Sequence, residues 1–370
     1  MLTPEEQARY ARHFSLAEVG MAGQEKLKAS SVLCIGAGGL GSPCCLYLAA
    51  AGVGRIGIID ADEVELSNLQ RQILHGQSNL GHAKCESAAD RLLEINPHVE
   101  IVQHRCRLTA ANAMDIAAGY DIIIDGSDNF PTRYLSNDVA FLLRKPNVYA
   151  SIFRFEGQLS VFAPHLGGPC YRCMLPVPPD SGSVPSCSEA GVLGVLPGIM
   201  GSLQAMEAIK ILLDTGNPPL GRLIHYNALE TSFREFHLRR DPECPLCGEN
   251  PSITKPMDYQ QTCPDMNKPH EISTAELKAK IEAGFDGLLL DVREQWEHQV
   301  ANIESARLIP MAEIPESLDE LKSAVGDREI LVICKSGGRS GRVVDFLQEQ
   351  GLGNVYNVLG GMDAWQKQGY

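Results

Sequence analysis

One turn, Gly36-Ala37-Gly38-Gly39-Leu40-Gly41, constrains this 370-residue chain more than any other stretch. It follows a short apolar run, Ser31 to Ile35, that reads as a buried strand. It precedes an apolar run of helix length that ends at Ala51. A second strand, Arg55 to Ile59, then ends at Asp60. Strand, glycine turn, helix and strand in that order spell a βαβ unit, with glycines where the backbone must approach a phosphate. The free N–H groups at the start of the helix aim at the anion. Asp60 sits where an acid accepts the hydrogen bonds of a ribose. A turn that merely packs a helix on a sheet has similar glycines; the acid after the second strand favours a nucleotide.

The bland form of such a site is a nicotinamide or flavin enzyme, and the residues beyond Asp60 argue against it. The run Ser67-Asn68-Leu69-Gln70-Arg71-Gln72 puts an amide and a guanidinium just past the ribose acid. A guanidinium offers a fixed fork of donors that matches phosphate oxygens, so Arg71 suits a triphosphate. Lys84 offers a second phosphate charge. Asp128, in Asp125-Gly126-Ser127-Asp128-Asn129, follows an apolar strand and can hold magnesium.

These residues together resemble the MoeB/ThiF family, relatives of the ubiquitin-activating enzymes, over about residues 10–248. The resemblance implies an α/β fold: a Rossmann-like adenylation domain on a mostly parallel, mixed sheet. It implies an ATP-dependent adenylyltransferase that activates the C-terminal glycine of a ubiquitin-like sulfur carrier of the MoaD/ThiS kind. The family's ATP contacts fall on Gly39, Asp60, Asn68, Arg71, Lys84 and Asp128, beside the loop glycines Gly36, Gly38 and Gly41. An N-terminal arginine of the family reaches the partner subunit's nucleotide in a homodimer. Here its motif is Arg9-Tyr10-Ala11-Arg12-His13 and the matching residue is Arg12. The plain alternative for Arg12 is a solvated charge at a helix end.

The length suggests two or three domains with a core that needs no staples. The net charge of −14 is shared by both halves, so a nucleic acid is not the expected partner. The start, MLTPEEQARY, has no apolar signal segment, and no apolar run is read as approaching the ~20 residues of a membrane helix. Twelve cysteines in such a chain favour reduced thiols, metal ligands or catalysis over a disulfide framework. The expected compartment is the cytoplasm, with no membrane partner.

Thr3-Pro4-Glu5-Glu6 is a capping box with proline at the first helical position, and it starts a helix expected to carry Arg9 and Arg12. Helices are expected at 83–95 and 130–143, and strands at 99–103, 121–124 and 147–150. That alternation gives a mainly parallel sheet covered on both faces. Residues 152–162 read as one longer β segment, which makes the second half of the sheet mixed. Residues 195–213 read as an apolar helix with Met206 in core or dimer packing.

Cys170-Tyr171-Arg172-Cys173 and Cys244-Pro245-Leu246-Cys247 are two CxxC pairs. Four soft thiolates in two knuckles suit tetrahedral zinc, here clamping two remote segments. A redox CxxC would not need two copies. The MoeB/ThiF family has its zinc cysteines at these positions. Between the pairs, residues 176–188 form a Pro/Ser/Gly-rich loop. It holds Cys187, in Cys187-Ser188-Glu189-Ala190-Gly191. This frame resembles the cysteine with which sulfur-transferring relatives attack the activated carrier; an incidental loop cysteine is the alternative. Residues 249–268 carry three prolines and no apolar periodicity and read as a linker, so the domains are expected at 1–248 and 269–370.

Beyond the linker, an apolar strand at 329–333 delivers Cys334-Lys335-Ser336-Gly337-Gly338-Arg339-Ser340 to a helix. A cysteine on such a loop faces a nest of backbone N–H groups. The nest, the helix N-terminus and Arg339 all favour an anionic sulfur. This loop, the LLLDVRE strand and Leu359-Gly360-Gly361-Met362-Asp363-Ala364-Trp365 resemble a rhodanese domain, a smaller α/β fold. Four residues separate Cys334 from Arg339, the sulfur-transferring spacing; related phosphatases have five. Ala301-Asn302 and Glu304-Ser305 replace the glycine–histidine and proline–glycine usual around Ile303. The resemblance implies a persulfide on Cys334, fed by thiosulfate or a cysteine desulfurase. The whole chain then makes a carrier thiocarboxylate, with ATP, magnesium and zinc, as in molybdenum cofactor biosynthesis. An NAD-dependent oxidoreductase would leave the zinc pairs and the rhodanese loop idle. An inactive carrier-binding scaffold would be expected to lose Asp128, Arg71 or Cys334, and all three are present.

Overall fold

The computed structural model describes residues 1–179, 191–259, 270–326 and 328–370. They fall into two compact units, one before and one after the 260–269 stretch.

Among the described residues, the first unit is built on an eight-stranded sheet. Its strands are β1 (Ser31–Ile35), β2 (Arg55–Ile59), β3 (Glu100–His104), β4 (Ile122–Asp125), β5 (Asn147–Phe153), β6 (Glu156–Phe162), β7 (Arg222–Asn227) and β8 (Ser232–His237), in the order β3-β2-β1-β4-β5-β6-β7-β8. The first five pair in parallel and the rest are antiparallel. The order reverses at β1, so the crevice beyond the carboxyl ends of β1 and β4 is where such a sheet receives a ligand. Both edges of that crevice are glycine. Gly36 has φ +93, and a Cβ on it would lie 3.2 Å from the Gly126 carbonyl oxygen. The helix that follows, Gly41–Ala51, buries most of its residues and ends on Gly52 at φ 81, the left-handed cap that glycine tolerates.

Three details differ from the sequence reading. The 152–162 segment is not one strand: β5 ends at Phe153, Arg154 turns the chain at φ 54, and β6 returns antiparallel. The N-terminal helix breaks, because Tyr10 leaves helical geometry to bury its ring under Gly52 and accept a 2.7 Å hydrogen bond from Asn96. Arg9 and Arg12 therefore lie on separate helices, Pro4–Arg9 and Ala11–Phe14. Finally, helix Val195–Leu213 is long and apolar enough to cross a membrane, a length the sequence reading had put out of reach. Half of it is buried within the protein. Gly201 allows contact with Leu40 and Pro43, and Met200 fills the space over Gly157. Met206 faces away, 54% exposed.

The second unit has a five-stranded, all-parallel sheet: β9 (Glu271–Ile272), β10 (Leu288–Asp291), β11 (Arg307–Leu308), β12 (Ile330–Ile333) and β13 (Val355–Val358), in the order β11-β10-β12-β13-β9. Its strands are apolar on both faces, as a covered parallel sheet requires. Leu290 and Val332 pack in one layer, and Leu289, Leu331 and Ile333 in the other. β12 ends directly at Cys334.

Candidate nucleotide, metal and sulfur sites

The glycine loop is held from three sides. Asp60 braces it through its carboxylate, which accepts the Ala37 N–H at 2.8 Å on one oxygen and the Asp62 N–H at 2.8 Å on the other. Gly41 must be glycine, since a Cβ there would lie 1.9 Å from the Gly36 oxygen. Gly39 lies against Pro197 of the long apolar helix, with 3.2 Å left for a Cβ, and Gly38 faces the Gln72 amide at 3.7 Å. His75, which the sequence reading passed over, is buried. Its Nε2 bonds the Ala37 carbonyl at 2.9 Å and its Nδ1 bonds Ser87 Oγ at 2.9 Å. Burial lowers its pKa, which keeps the imidazole neutral as a brace for the loop. Its only sequence signal is its place at the end of the SNLQRQILH run.

Around this loop the other expected residues take distinct positions. Asn68 is buried and accepts the Glu65 N–H at 3.1 Å, capping its own turn. Arg71 donates to the Ser67 carbonyl at 2.9 Å, and its stem lies 3.7 Å from the place a Gly39 Cβ would take. Lys84 is buried beside Asp62, 3.1 Å away. The two acids after β4 divide their work. Asp125 is buried and accepts from Ser127 N–H, Ser127 Oγ and Ser136 Oγ at 3.0, 2.6 and 2.6 Å. Asp128 is exposed, touched only loosely by Asn129 at 3.4 Å. Arg12 is exposed on Ala11–Phe14 and takes no part in these loop contacts.

The four knuckle cysteines converge although some seventy residues part the pairs. Their sulfur atoms all lie within 4.8 Å of one another. The spacings are 3.8 Å for Cys170–Cys173, 3.6 Å for Cys170–Cys244 and 3.4 Å for Cys173–Cys247. A tetrahedron with ~2.3 Å metal–sulfur arms has edges of about 3.8 Å, so the donor set fits one ion. Arg172, inside the first knuckle, makes a buried bidentate pair with Asp138 at 2.9 and 3.0 Å. The Tyr259 hydroxyl bonds both partners. Burial, reinforced by Asp138, pushes that phenol up, so it stays a donor. The segment expected as linker is thus tied to the first unit as far as Tyr259. Ile253 packs on the cysteine cluster, and Asp258 accepts the Ala110 N–H at 2.7 Å. Cys187 lies outside the described residues.

In the second unit Cys334 is fully buried. The Gly337 N–H and the Ser340 hydroxyl both lie 3.2 Å from its sulfur. Gly337 has φ +98, which turns its N–H inward. Ser336 and Gly338 are exposed at the mouth of the loop, with Lys335 half-buried. The loop's outer carbonyls are capped by the last helix: Met362 N–H donates to Cys334 at 2.9 Å and Asp363 N–H to Lys335 at 2.9 Å. Gly361 permits this approach, as a Cβ would lie 2.4 Å from the Cys334 oxygen. Arg339 corrects the sequence reading. It is not a lone positive charge for the sulfur, because both terminal nitrogens are spent on Glu297, at 2.6 and 2.7 Å, in a buried pair. Nearby, Asp291 holds Arg293 and His298. Arg293 reaches the Ala301 carbonyl at 2.8 Å, in the stretch where the usual glycine–histidine is missing.

Burial works to raise the pKa of Glu297 and of Asp291. Hydrogen bonds from Arg339 to the first, and from Arg293 and His298 to the second, outweigh it and hold both below the usual range. A depressed carboxyl adds stability that is present above its unfolded pKa of about 4 and is lost as pH falls through the folded value. The second unit should therefore melt at lower temperature as pH drops below about 4. Glu297→Gln should destabilise it at neutral pH and flatten that dependence; thermal melts from neutral to acid pH check both.

The ThiF family profile matches residues 10–246, and that of the rhodanese-like domain matches residues 273–368. The chain is 44% identical to "Probable adenylyltransferase/sulfurtransferase MoeZ" of Mycobacterium tuberculosis, over 99% of this chain and 94% of that protein. It is 42% identical to adenylyltransferase and sulfurtransferase MOCS3-1 of Zea mays, over 96% of this chain and 81% of the other. It is 51% identical to a sulfur carrier protein adenylyltransferase of Thermus thermophilus, over 70% of this chain and 98% of the other. Among solved structures, E. coli MccB shares the fold at a TM-score of 0.57 and 23% identity, over 65% of this chain and 74% of that one.

Proposed function

The chain belongs to the ThiF family and carries a rhodanese-like domain behind it, and we propose that it works as one two-step enzyme. It adenylylates the C-terminal glycine of a ubiquitin-like sulfur carrier with ATP, then passes it sulfur from a persulfide on Cys334. The observation that carries this reading is the pairing, on one chain, of a glycine loop at a topological switch point with a strand-end cysteine whose sulfur has an N–H and a hydroxyl 3.2 Å away.

In the first step the carrier's carboxylate oxygen attacks the α-phosphorus and pyrophosphate leaves. The loop of Gly36, Gly38, Gly39 and Gly41 brings N–H groups to the phosphates. Asp60 takes the ribose hydroxyls while it holds the loop through the Ala37 N–H, and Asn68 is a further ATP contact. Arg71 and Lys84, with Arg12 supplied from the second subunit of a homodimer, offset the charge that builds on the phosphates. Asp128 would hold magnesium, because it is exposed while Asp125 is buried and already takes three hydrogen bonds. In the second step the outer sulfur on Cys334 attacks the acyl carbon and AMP leaves. A thiolate, for which Cys187 is the chain's own candidate, attacks the Cys334 sulfur of the resulting acyl disulfide; the thiocarboxylate leaves, a Cys187–Cys334 disulfide forms, and a thiol reductant from solution returns both cysteines to thiols. The donor to Cys334 is a cysteine desulfurase or thiosulfate. We place the enzyme in the cytoplasm, with molybdenum cofactor synthesis among the pathways it suits. We divide it into an adenylation domain at 1–248, a linker at 249–268 and a rhodanese domain at 269–370. Incubating the chain with ATP, a persulfide donor and candidate carriers, then weighing the carriers, tests the reading; carriers that never gain sulfur would remove it.

The four cysteines fit zinc, whose role would be to fix two remote segments. Cys244→Ser should lose the metal and melt lower, by roughly 2–4 °C for each kcal/mol lost. Metal analysis with a thermal melt checks this; a wild-type protein with reduced thiols and no metal would remove the assignment.

A further inference from the structure

We propose that Asn357 is a positioning residue for Cys334. It competes with the sulfur for the one hydrogen bond that the Ser340 hydroxyl can donate. This rests on the reading of Cys334 as the sulfur-carrying residue.

Three elements bring the groups together. Cys334 ends β12, Ser340 lies in the first turn of helix Gly338–Glu349, and Asn357 lies in β13, where it stands opposite Val332 of β12. All three are buried, with Asn357 the most exposed at 4%. Ser340 Oγ lies 2.6 Å from Asn357 Oδ1, 3.1 Å from the Gly337 oxygen and 3.2 Å from Cys334 Sγ. A hydroxyl carries a single proton, so three acceptors share one donor in a place closed to solvent. The Asn357 backbone N–H is fixed on the His270 carbonyl at 2.9 Å. Its amide nitrogen packs against Gly341, 3.4 Å from the place a Cβ would take.

The shortest contact decides the resting state: with a neutral sulfur the proton goes to the Asn357 oxygen. When Cys334 is a thiolate, once the disulfide left by sulfur transfer has been reduced, the charged acceptor makes the stronger bond. The hydroxyl then turns to the sulfur at the cost of its bond to Asn357. Asn357 thereby limits how far the thiolate is stabilised. Intrinsic nucleophilicity falls by only part of what the thiolate fraction gains when a thiolate is stabilised, so at neutral pH the competition holds back the attack of Cys334 on its next electrophile.

A double-mutant cycle on the full chain tests this. The readout is the rate of Cys334 alkylation by iodoacetamide across pH, scored by mass spectrometry of the peptide that contains it. The charged groups of the loop and of the elements packed on it are Arg339 with Glu297, Lys335, Asp363, and Asp291 with Arg293 and His298. They are identical in every variant and drop out of the comparison. Asn357→Leu frees the hydroxyl for the sulfur. It should speed alkylation at neutral pH about ten-fold, with the midpoint of the profile moved to lower pH, the size expected of a hydrogen bond to a charged group. Ser340→Ala should move the profile the other way, and the double variant should behave as Ser340→Ala alone. Asn357→Ala, which only deletes atoms, is run beside it in case leucine disturbs the fold, with circular dichroism as the check. Alkylation unchanged or slowed by both Asn357 variants overturns the proposal, as does a gain that survives in the Ser340→Ala background. If the cycle behaves as stated but Cys334 takes up no sulfur from a persulfide donor, the competition stands and the sulfur-transfer reading falls.

Discussion

Asp128→Ala should reduce carrier-dependent exchange of pyrophosphate into ATP by at least ~100-fold, the scale on which a lost electrostatic stabiliser of a charged transition state is felt. The expectation follows from the division of labour after β4. Asp125 is buried and its two oxygens are consumed by Ser127 and Ser136. Asp128, three residues on, is exposed and has one weak contact. Removing Asp128 therefore leaves the core and the loop braces untouched, and the variant should melt as the wild type does. Asp125→Ala should instead leave the buried Ser127 hydroxyl and N–H without their acceptor and lower the melting temperature, a loss of about 1–3 kcal/mol per unsatisfied group. Near wild-type exchange by Asp128→Ala would take that residue out of the mechanism.

The second large effect is at Cys334. Cys334→Ala should stop formation of the carrier thiocarboxylate while leaving pyrophosphate exchange intact. The cysteine follows β12 in the second unit, and the glycine loop, Asp60, His75 and Asp128 are all in the first. The substitution removes the sulfur that Gly337 and Ser340 point at, and nothing else in that loop depends on the side chain: Cys334 holds Met362 through its backbone carbonyl. A variant that still made thiocarboxylate from a persulfide donor would move the sulfur-carrying role to Cys187 or to free sulfide.

What could be read from the sequence was local. The βαβ unit shows because strand, glycines, helix and acid lie within thirty residues, and backbone geometry alone demands Gly36 and Gly41. The two cysteine knuckles show because metal chemistry imposes a spacing inside each pair, and the structure brings all four together. What stayed hidden depends on groups far apart in the chain. Arg339 looks like a charge for the sulfur until Glu297, forty-two residues earlier, is seen to hold it. The β7–β8 hairpin has no glycine-marked turn, since Thr231 itself takes the positive φ of 51. The break at Tyr10 is dictated by burial against Gly52 and Asn96, not by any breaker in the sequence. Tyr259 sits in a proline-rich stretch that reads as linker, yet a buried ion pair from two other elements holds it.

The central claim is that the adenylate made in one unit is consumed by the sulfur carried in the other. The most direct test is a single turnover. Cys334 is loaded with radiolabelled sulfur from a persulfide donor, the free donor is removed, and carrier is added with or without ATP. The account predicts that label moves to the carrier's C-terminus only when ATP is present, and that none moves from the Cys334→Ala chain. Label reaching the carrier without ATP, or remaining on Cys334 when ATP and carrier are both present, would contradict it.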